Sequence, residues 1–290
     1  MATFQLDEIK QRQRLEWQAA APGWKKWERM IIQSLQPVAD MLIKNAGITS
    51  GNTVLDMATG TGEPALTIAK IVGPGGRVVG MDLSPDMLDV AKERMVSQGL
   101  NNVTFQVNEH DDLPAFPDNS FDAAVCRFGL MFMPDPVRVL RAIRRVLKPG
   151  RKVSVAVWGP PERAPFFTTP MKAVSKHVPE MKPLAPGTPG GPFAIPSQEM
   201  LGSIFKKAGF SNFQSQTTDV TVVQAESPEE YWEAITEVAG PIVFLLSKMT
   251  VEKKNAIRED VIETVRGLFP AGPVRLGGEA IVGSGTKPSV

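Results

Sequence analysis

Residues 56–65, DMATGTGEPA, constrain this chain more than any other stretch. Gly60, Gly62 and Ala65 match the G-x-G-x-x-G/A turn that carries a parallel strand into a helix and brings backbone N–H groups up to a nucleotide. The context fits that reading. Thr53 to Asp56 is an apolar strand ending at the turn, and Pro64 falls at a first helical position, where its missing N–H costs nothing. The helix it opens runs to the GPGG turn at 73–76, and a second strand, Arg77 to Asp82, ends in a carboxylate 20 residues beyond Gly62. An acid at that place accepts from both hydroxyls of an adenosine ribose.

The same alternation of strand and helix continues. Ser84 caps a helix with Pro85 at its first position and Gly99 as its stop. Strands follow at Val103 to Val107 and Phe121 to Cys126, then a helix from Asp135 and Pro136 to Lys148, then a strand from Lys152 to Trp158. This is the pattern of a parallel sheet with crossover helices. Residues 159–196 break it with ten prolines in 38 positions, which predicts an irregular lid with no helix or central strand. Ser197 starts a helix ending near Gly209, Phe213 to Val223 alternates as a strand, and Ser227-Pro-Glu-Glu reads as a capping box. Helices at 228–240 and 251–268 then precede a last strand near 274–285. The expected organisation is an N-terminal helical cap (1–36), a nucleotide-binding core (37–158), and a remainder of the same domain (159–290) holding the lid, the last strands and inserted helices (228–269).

Asp56 bears on which adenosine compound the turn holds. A carboxylate at the end of the first strand lies close to where a dinucleotide's pyrophosphate carries its charge. At an effective dielectric of about 20, unit charges about 4 Å apart interact by about 4 kcal/mol. That repels NAD and attracts a cationic, phosphate-free ligand such as S-adenosylmethionine (SAM). An NAD-dependent oxidoreductase and a non-catalytic SAM-binding module are the alternatives from the residues alone.

Four motifs, VLDMATGTGEPA (54–65), VVGMDLSPDMLDVAKERM (78–95), LPAFPDNSFDAAVCRFGLMFMPDP (113–136) and RRVLKPGRKVSVAVW (144–158), resemble the class I SAM-dependent methyltransferases. The resemblance is to their type 11 group, which includes the ubiquinone/menaquinone C-methyltransferases, and it covers roughly residues 37–158. It implies a Rossmann-like α/β fold, with a seven-stranded sheet whose last strand is antiparallel and with helical cap insertions. It also implies that Asp56, Ala58, Gly60 and Gly62 surround the methionine end of SAM, with Thr59 and Thr61 adding contacts. By the same resemblance Asp82 takes the ribose hydroxyls, Leu83 and Met87 pack on the adenine, and Glu109, where relatives commonly have Asp, accepts from the adenine amino group beside His110. Arg127 and Phe128 fall where the family lines the methionine end and the methyl-transfer face.

Methyl transfer from a sulfonium is an in-line displacement, so alignment and exclusion of water supply much of the acceleration. No catalytic base is assigned. His110 belongs to the adenine side, His177 to the Pro-rich lid, and Met131 and Phe132 stand where some relatives carry His. For the acceptor, Trp24 and Trp27 fall three apart on one helical face, Trp158 ends a strand at the cleft, and Phe128, Met131 and Phe166 add apolar lining. The expected partner is a small, partly apolar methyl acceptor.

Composition limits the other classes. Thirty-two basic and 31 acidic side chains leave a net charge of +1, which makes no global field for a nucleic acid. The basic run from Arg138 to Lys152 reads as the solvated face of a helix whose stripe is Val139, Ile143 and Val146. One cysteine, Cys126, makes no internal disulfide and no Cys-rich metal site. The polar start, MATFQLDEIKQRQR, lacks the apolar core of a leader, and no apolar run reaches a membrane span's length. A cytoplasmic monomer or homodimer, holding no metal, is the expectation.

Overall fold

The computed structural model describes residues 3–108, 112–180 and 183–289. Its strands are β1 (Thr53–Met57), β2 (Arg77–Asp82), β3 (Val103–Val107), β4 (Phe121–Arg127), β5 (Leu147–Trp158), β6 (Ser211–Ala225) and β7 (Val274–Thr286). Its α-helices are α1 (Thr3–Lys26), α2 (Glu28–Ala46), α3 (Ala65–Val72), α4 (Pro85–Ser97), α5 (Pro136–Val146), α6 (Pro165–His177), α7 (Gln198–Lys207), α8 (Pro228–Val238), α9 (Gly240–Ser247) and α10 (Val251–Leu268).

The strands form one seven-stranded sheet in the order β3-β2-β1-β4-β5-β7-β6. Strands β1 to β5 pair in parallel, and β7 runs antiparallel to both β5 and β6. Every residue of β4 is buried, and β1 is buried from Val54 to Met57, as strands covered on both faces require. The order reverses between β1 and β4, and at that switch point a crevice opens beyond the strands' carboxyl ends. Helix α2 runs past the end of the expected helical cap (1–36) and packs across β4, β5, β7 and β6 with Leu35, Val38 and Leu42 buried. Helix α1 lies on α4, α8 and α9. Among the described residues no helix is long and apolar enough to cross a membrane.

Local signals act where expected. The side chains of Ser84, Asp135, Ser197 and Ser227 each accept a backbone N–H from the first turn of the helix they precede. Three expectations need correction. The helices read at 228–240 and 251–268 are α8 and α10, but a further helix, α9, starts at Gly240 where none was expected. The segment from Trp24 to Glu28 is not one helix, because α1 ends at Lys26 and α2 restarts at Glu28. The third correction is within the Pro-rich segment, which holds α6 with Pro165 in its first turn and Pro170 in its interior.

Pro170 has no N–H to give the carbonyl of Phe166 four residues back. The hydroxyl of Tyr231, on α8 and fully buried, donates to that carbonyl oxygen at 2.8 Å. A side chain from another helix thus replaces the missing backbone donor, and the proline is tolerated. Tyr231→Phe should cost about 1–3 kcal/mol by leaving the carbonyl unpaired. In a Pro170→Ala background, where the N–H returns, the same change should cost less than half as much. Urea unfolding of the four proteins checks this, since equal costs in both backgrounds would show that the proline is not what Tyr231 compensates.

Candidate active site at the strand switch point

The glycine turn is held from below. Asp56 Oδ2 accepts the Thr59 hydroxyl at 2.6 Å and the Ala65 N–H at 3.1 Å, so its side chain points under the loop rather than into the crevice. Its Oδ1 is buried and has no hydrogen-bond partner among the described residues. Burial pushes this carboxyl up to about 7, against the pull of the Thr59 hydroxyl and the more distant Arg127.

Asp82 ties the turn to the next strand. Its Oδ2 accepts the Gly60 N–H and its Oδ1 the Ser84 N–H, each at 2.9 Å, while the Thr59 N–H pairs with the Met81 carbonyl. Burial raises its carboxyl and the two N–H donors oppose that. The loops after β1 and β4 touch: a Cβ on Gly129 would stand 2.3 Å from that of Ala58, which itself takes a left-handed conformation (φ 58°). Only a residue without a side chain lets the two loops meet there.

Above this floor lies a cavity of about 200 Å³. Ala58, Thr59, Gly60, Asp82, Leu83, Met87 and Arg127 line it, as do Trp24, Phe128, Met131, Trp158 and Phe166. Asp56, Thr61 and Gly62 sit behind its wall: Thr61 turns its carbonyl to Arg94, and Gly62 packs on Leu66 and Ala91. Glu109 and His110 lie outside the described residues. Trp27 is a correction. It does not line the cavity: its Nε1 donates to Glu237 Oε2 at 2.6 Å, while Trp24 donates to the Val238 carbonyl at 2.7 Å.

In Trp27's place Trp17 lines the cavity, edge-on to Trp24 (centroids 6.1 Å apart) and to Phe132 (5.2 Å). The sequence carried a signal for it, because Trp17 and Trp24 are seven apart and share a helical face. Glu63 and Asn108 also line the cavity and were not anticipated. The far wall is aromatic: Phe128 stacks on Trp158 with centroids 3.9 Å apart and planes 14° from parallel, and Phe166 leans on Trp158 at 4.9 Å.

Two groups define what chemistry is available. Arg127 is 9% exposed, lines the cavity, and its guanidinium makes no hydrogen bond or close ion pair among the described residues. Burial lowers its pKa, opposed by the longer-range pull of Glu63 and Asp56. Cys126, next to it, is fully buried and its thiol is pushed up to about 12 by burial, so it is no nucleophile. Asp82 and Arg127 thus put an anchored acid and an uncommitted cation on the sheet side of the cavity, while the cap side is mostly apolar, with Lys10 and Gln13 of α1 among its rings and aliphatic side chains.

The sequence profile of the ubiE/COQ5 methyltransferase family matches residues 31–185. A demethylmenaquinone methyltransferase of Staphylococcus aureus is 35% identical over 182 residues, which span 59% of this chain and 73% of that protein. The fold is shared with solved structures of low identity. YcgJ of Bacillus subtilis (19% identical, TM-score 0.57) covers 87% of this chain and is itself covered to 99%. Phosphoethanolamine N-methyltransferase 2 of Haemonchus contortus, solved with S-adenosyl-L-methionine, superposes with a TM-score of 0.55 at 19% identity, over 91% of this chain and 57% of that one. The methyltransferase assignment displaces the oxidoreductase and the non-catalytic module as readings of the glycine turn. The chain belongs to the ubiE/COQ5 methyltransferase family and is an S-adenosylmethionine-dependent methyltransferase of small molecules.

Proposed function

We propose that SAM is held along the sheet side of the cavity and that the acceptor is a flat, apolar ring held by the cap. The observation that carries the first half is the pairing of Asp82 with Arg127. An acid fixed by two backbone N–H groups suits a ribose diol, and a buried guanidinium with no partner among the described residues suits the carboxylate of an amino acid. Ala58, Thr59 and Gly60 would border the methionine end, and Leu83 and Met87 would pack on the adenine. Asp56 acts through the loop it braces, and its ionised form favours a cation nearby.

When bound, SAM supplies an electrophilic methyl group on a sulfonium. The chain's part is to align, to exclude water and to tolerate a dispersing positive charge. Phe128 and Trp158 offer ring faces for that charge, and Trp17, Trp24 and Phe132 close the cavity from the cap side. The acceptor proposal rests on those rings together with the S. aureus relative's name: a demethylated naphthoquinol presents a flat apolar face of the kind such walls hold. Incubation with SAM and the reduced quinone should add one CH2 unit by mass spectrometry. An unchanged quinone, with SAM bound, would leave the donor assignment standing and remove this acceptor.

Calorimetry with S-adenosylhomocysteine tests the donor site. Asp82→Ala should weaken binding by about 2 to 4 kcal/mol, since it loses both the diol acceptor and the brace on Gly60. Equal affinity in the two proteins would remove Asp82 from the site.

Asp56 gives a pH dependence with a definite sign. Its carboxyl sits at about 7 in the folded chain against an ordinary 3.8, so the fold binds this proton more tightly than the unfolded chain does. The stability it contributes is complete below the unfolded value and is lost as pH rises toward 7. Urea unfolding at pH 5 and pH 8 should therefore show a smaller loss for Asp56→Asn than for the wild type. Parallel curves would mean that Asp56 is already ionised at pH 5.

A further inference from the structure

Arg94 is buried on α4, with 6% of its surface exposed, on the face that meets the glycine turn. A Cβ on Gly62 would stand 3.2 Å from the Cβ of Ala91, one helical turn before Arg94. The guanidinium reaches three groups. Nη1 donates to the carbonyl of Thr61 at 2.6 Å, Nη2 pairs with Glu63 Oε1 at 3.0 Å, and Nε lies 2.7 Å from Glu28 Oε1 as an ion pair without hydrogen-bond geometry. Two of these groups belong to the turn, and Glu63 also lines the cavity and accepts the Thr67 hydroxyl at 2.8 Å.

The third belongs to the cap. Glu28 is the first residue of α2, directly after the break that ends α1, and it adjoins Trp27, whose indole is fixed to Glu237 at the end of α8. Helix α1 reaches over the cavity with Gln13, Trp17 and Trp24. One planar cation therefore joins the turn that floors the cavity to the joint of the helix that roofs it. Arginine suits this because its fork presents several donors in fixed directions, whereas an ammonium is a single point.

We propose that Arg94 is a positioning residue that sets the shape of the glycine turn for the cofactor and, through Glu28, couples cofactor occupancy to the seating of α1. The inference rests on the reading that the turn holds SAM. Coupling of this kind is reciprocal, so whatever steadies the turn steadies the joint of the roof helix as well.

The test uses the full chain, S-adenosylhomocysteine as the probe, calorimetry for affinity, and hydrogen exchange of the α1 amides for seating. In the wild type the probe should bind and slow exchange along α1. Arg94→Gln should bind about tenfold or more weakly, and Arg94→Lys, which keeps the charge and part of the reach, should recover to between about threefold and tenfold weaker than wild type. Glu28→Gln should keep its affinity within about threefold of wild type and lose the slowing of α1 exchange on adding the probe.

Wild-type affinity in Arg94→Gln overturns the positioning role, and full α1 slowing in Glu28→Gln overturns the coupling. If Arg94→Gln does not fold, Arg94→Lys decides, because an unchanged affinity there overturns the role equally. A wild type that fails to bind the probe sinks the cofactor reading itself, an outcome distinct from all of these.

Discussion

The meeting of the loops after β1 and β4 is the constraint on which the rest depends. Parallel strands whose order reverses must leave a gap between the two crossovers, and here the gap is closed at its base by Ala58 against Gly129. What keeps the loop after β1 in that place is a pair of carboxylates. Asp56 holds it from beneath through Thr59 and Ala65, and Asp82 holds it from the side through Gly60. Bonds from N–H groups to carboxylates are stronger than neutral ones, and two acids grip one turn of a few residues. The cost is visible in both acids, whose carboxyls burial pushes upward. A nearby cation offsets that cost, and the turn is thus strained electrostatically toward the kind of ligand it serves.

The cap is held by different physics. The indoles of Trp24 and Trp27 donate to the end of α8, Lys26 pairs with Glu233 and Glu237 at the surface, and Arg12 and Gln13 both donate to the carbonyl of Gly190 in the Pro-rich segment. Glu16 lies among them, with its carboxyl pushed up to about 7 by burial despite Arg12 at 3.3 Å. Surface ion pairs contribute little, and single hydrogen bonds to loop carbonyls are modest. Apolar packing does the rest: Ala20 and Ala21 are buried with Met87, beside Trp17, Trp24 and Val243.

Much of the sheet half could be read from residue order. The glycine spacing, the acid 20 residues on, and serine or aspartate caps ahead of proline are local signals, and local signals specify β1 through α5 almost element by element. What escaped was decided by contacts distant in sequence. Helix α6 survives Pro170 because Tyr231, 61 residues later, supplies the missing donor. Trp17 rather than Trp27 faces the cavity, since the indole of Trp27 is taken up by Glu237, 210 residues away in sequence. Asp56 turns under the loop because its partners, Thr59 and Ala65, are nearer than the crevice, which a motif cannot reveal since it fixes a position and not a rotamer.

The division of labour follows from where the polar groups come from. Asp82, Arg127, Thr59 and Gly60 stand at strand ends or in the turn between β1 and α3, so donor recognition is fixed by the part of the chain that the sheet holds most rigidly. The apolar walls include Trp17 and Trp24 from α1, Phe166 from α6, and Ile235 and Val238 from α8, all of them outside the parallel core. Rigid elements hold a reacting group in line better than loops and inserted helices do. Inserted helices, in turn, can change without disturbing the strands that position the donor. An acceptor that offers mostly a flat apolar surface needs only shape and dryness from such walls, and the rings of Trp17, Trp24 and Phe166 supply both.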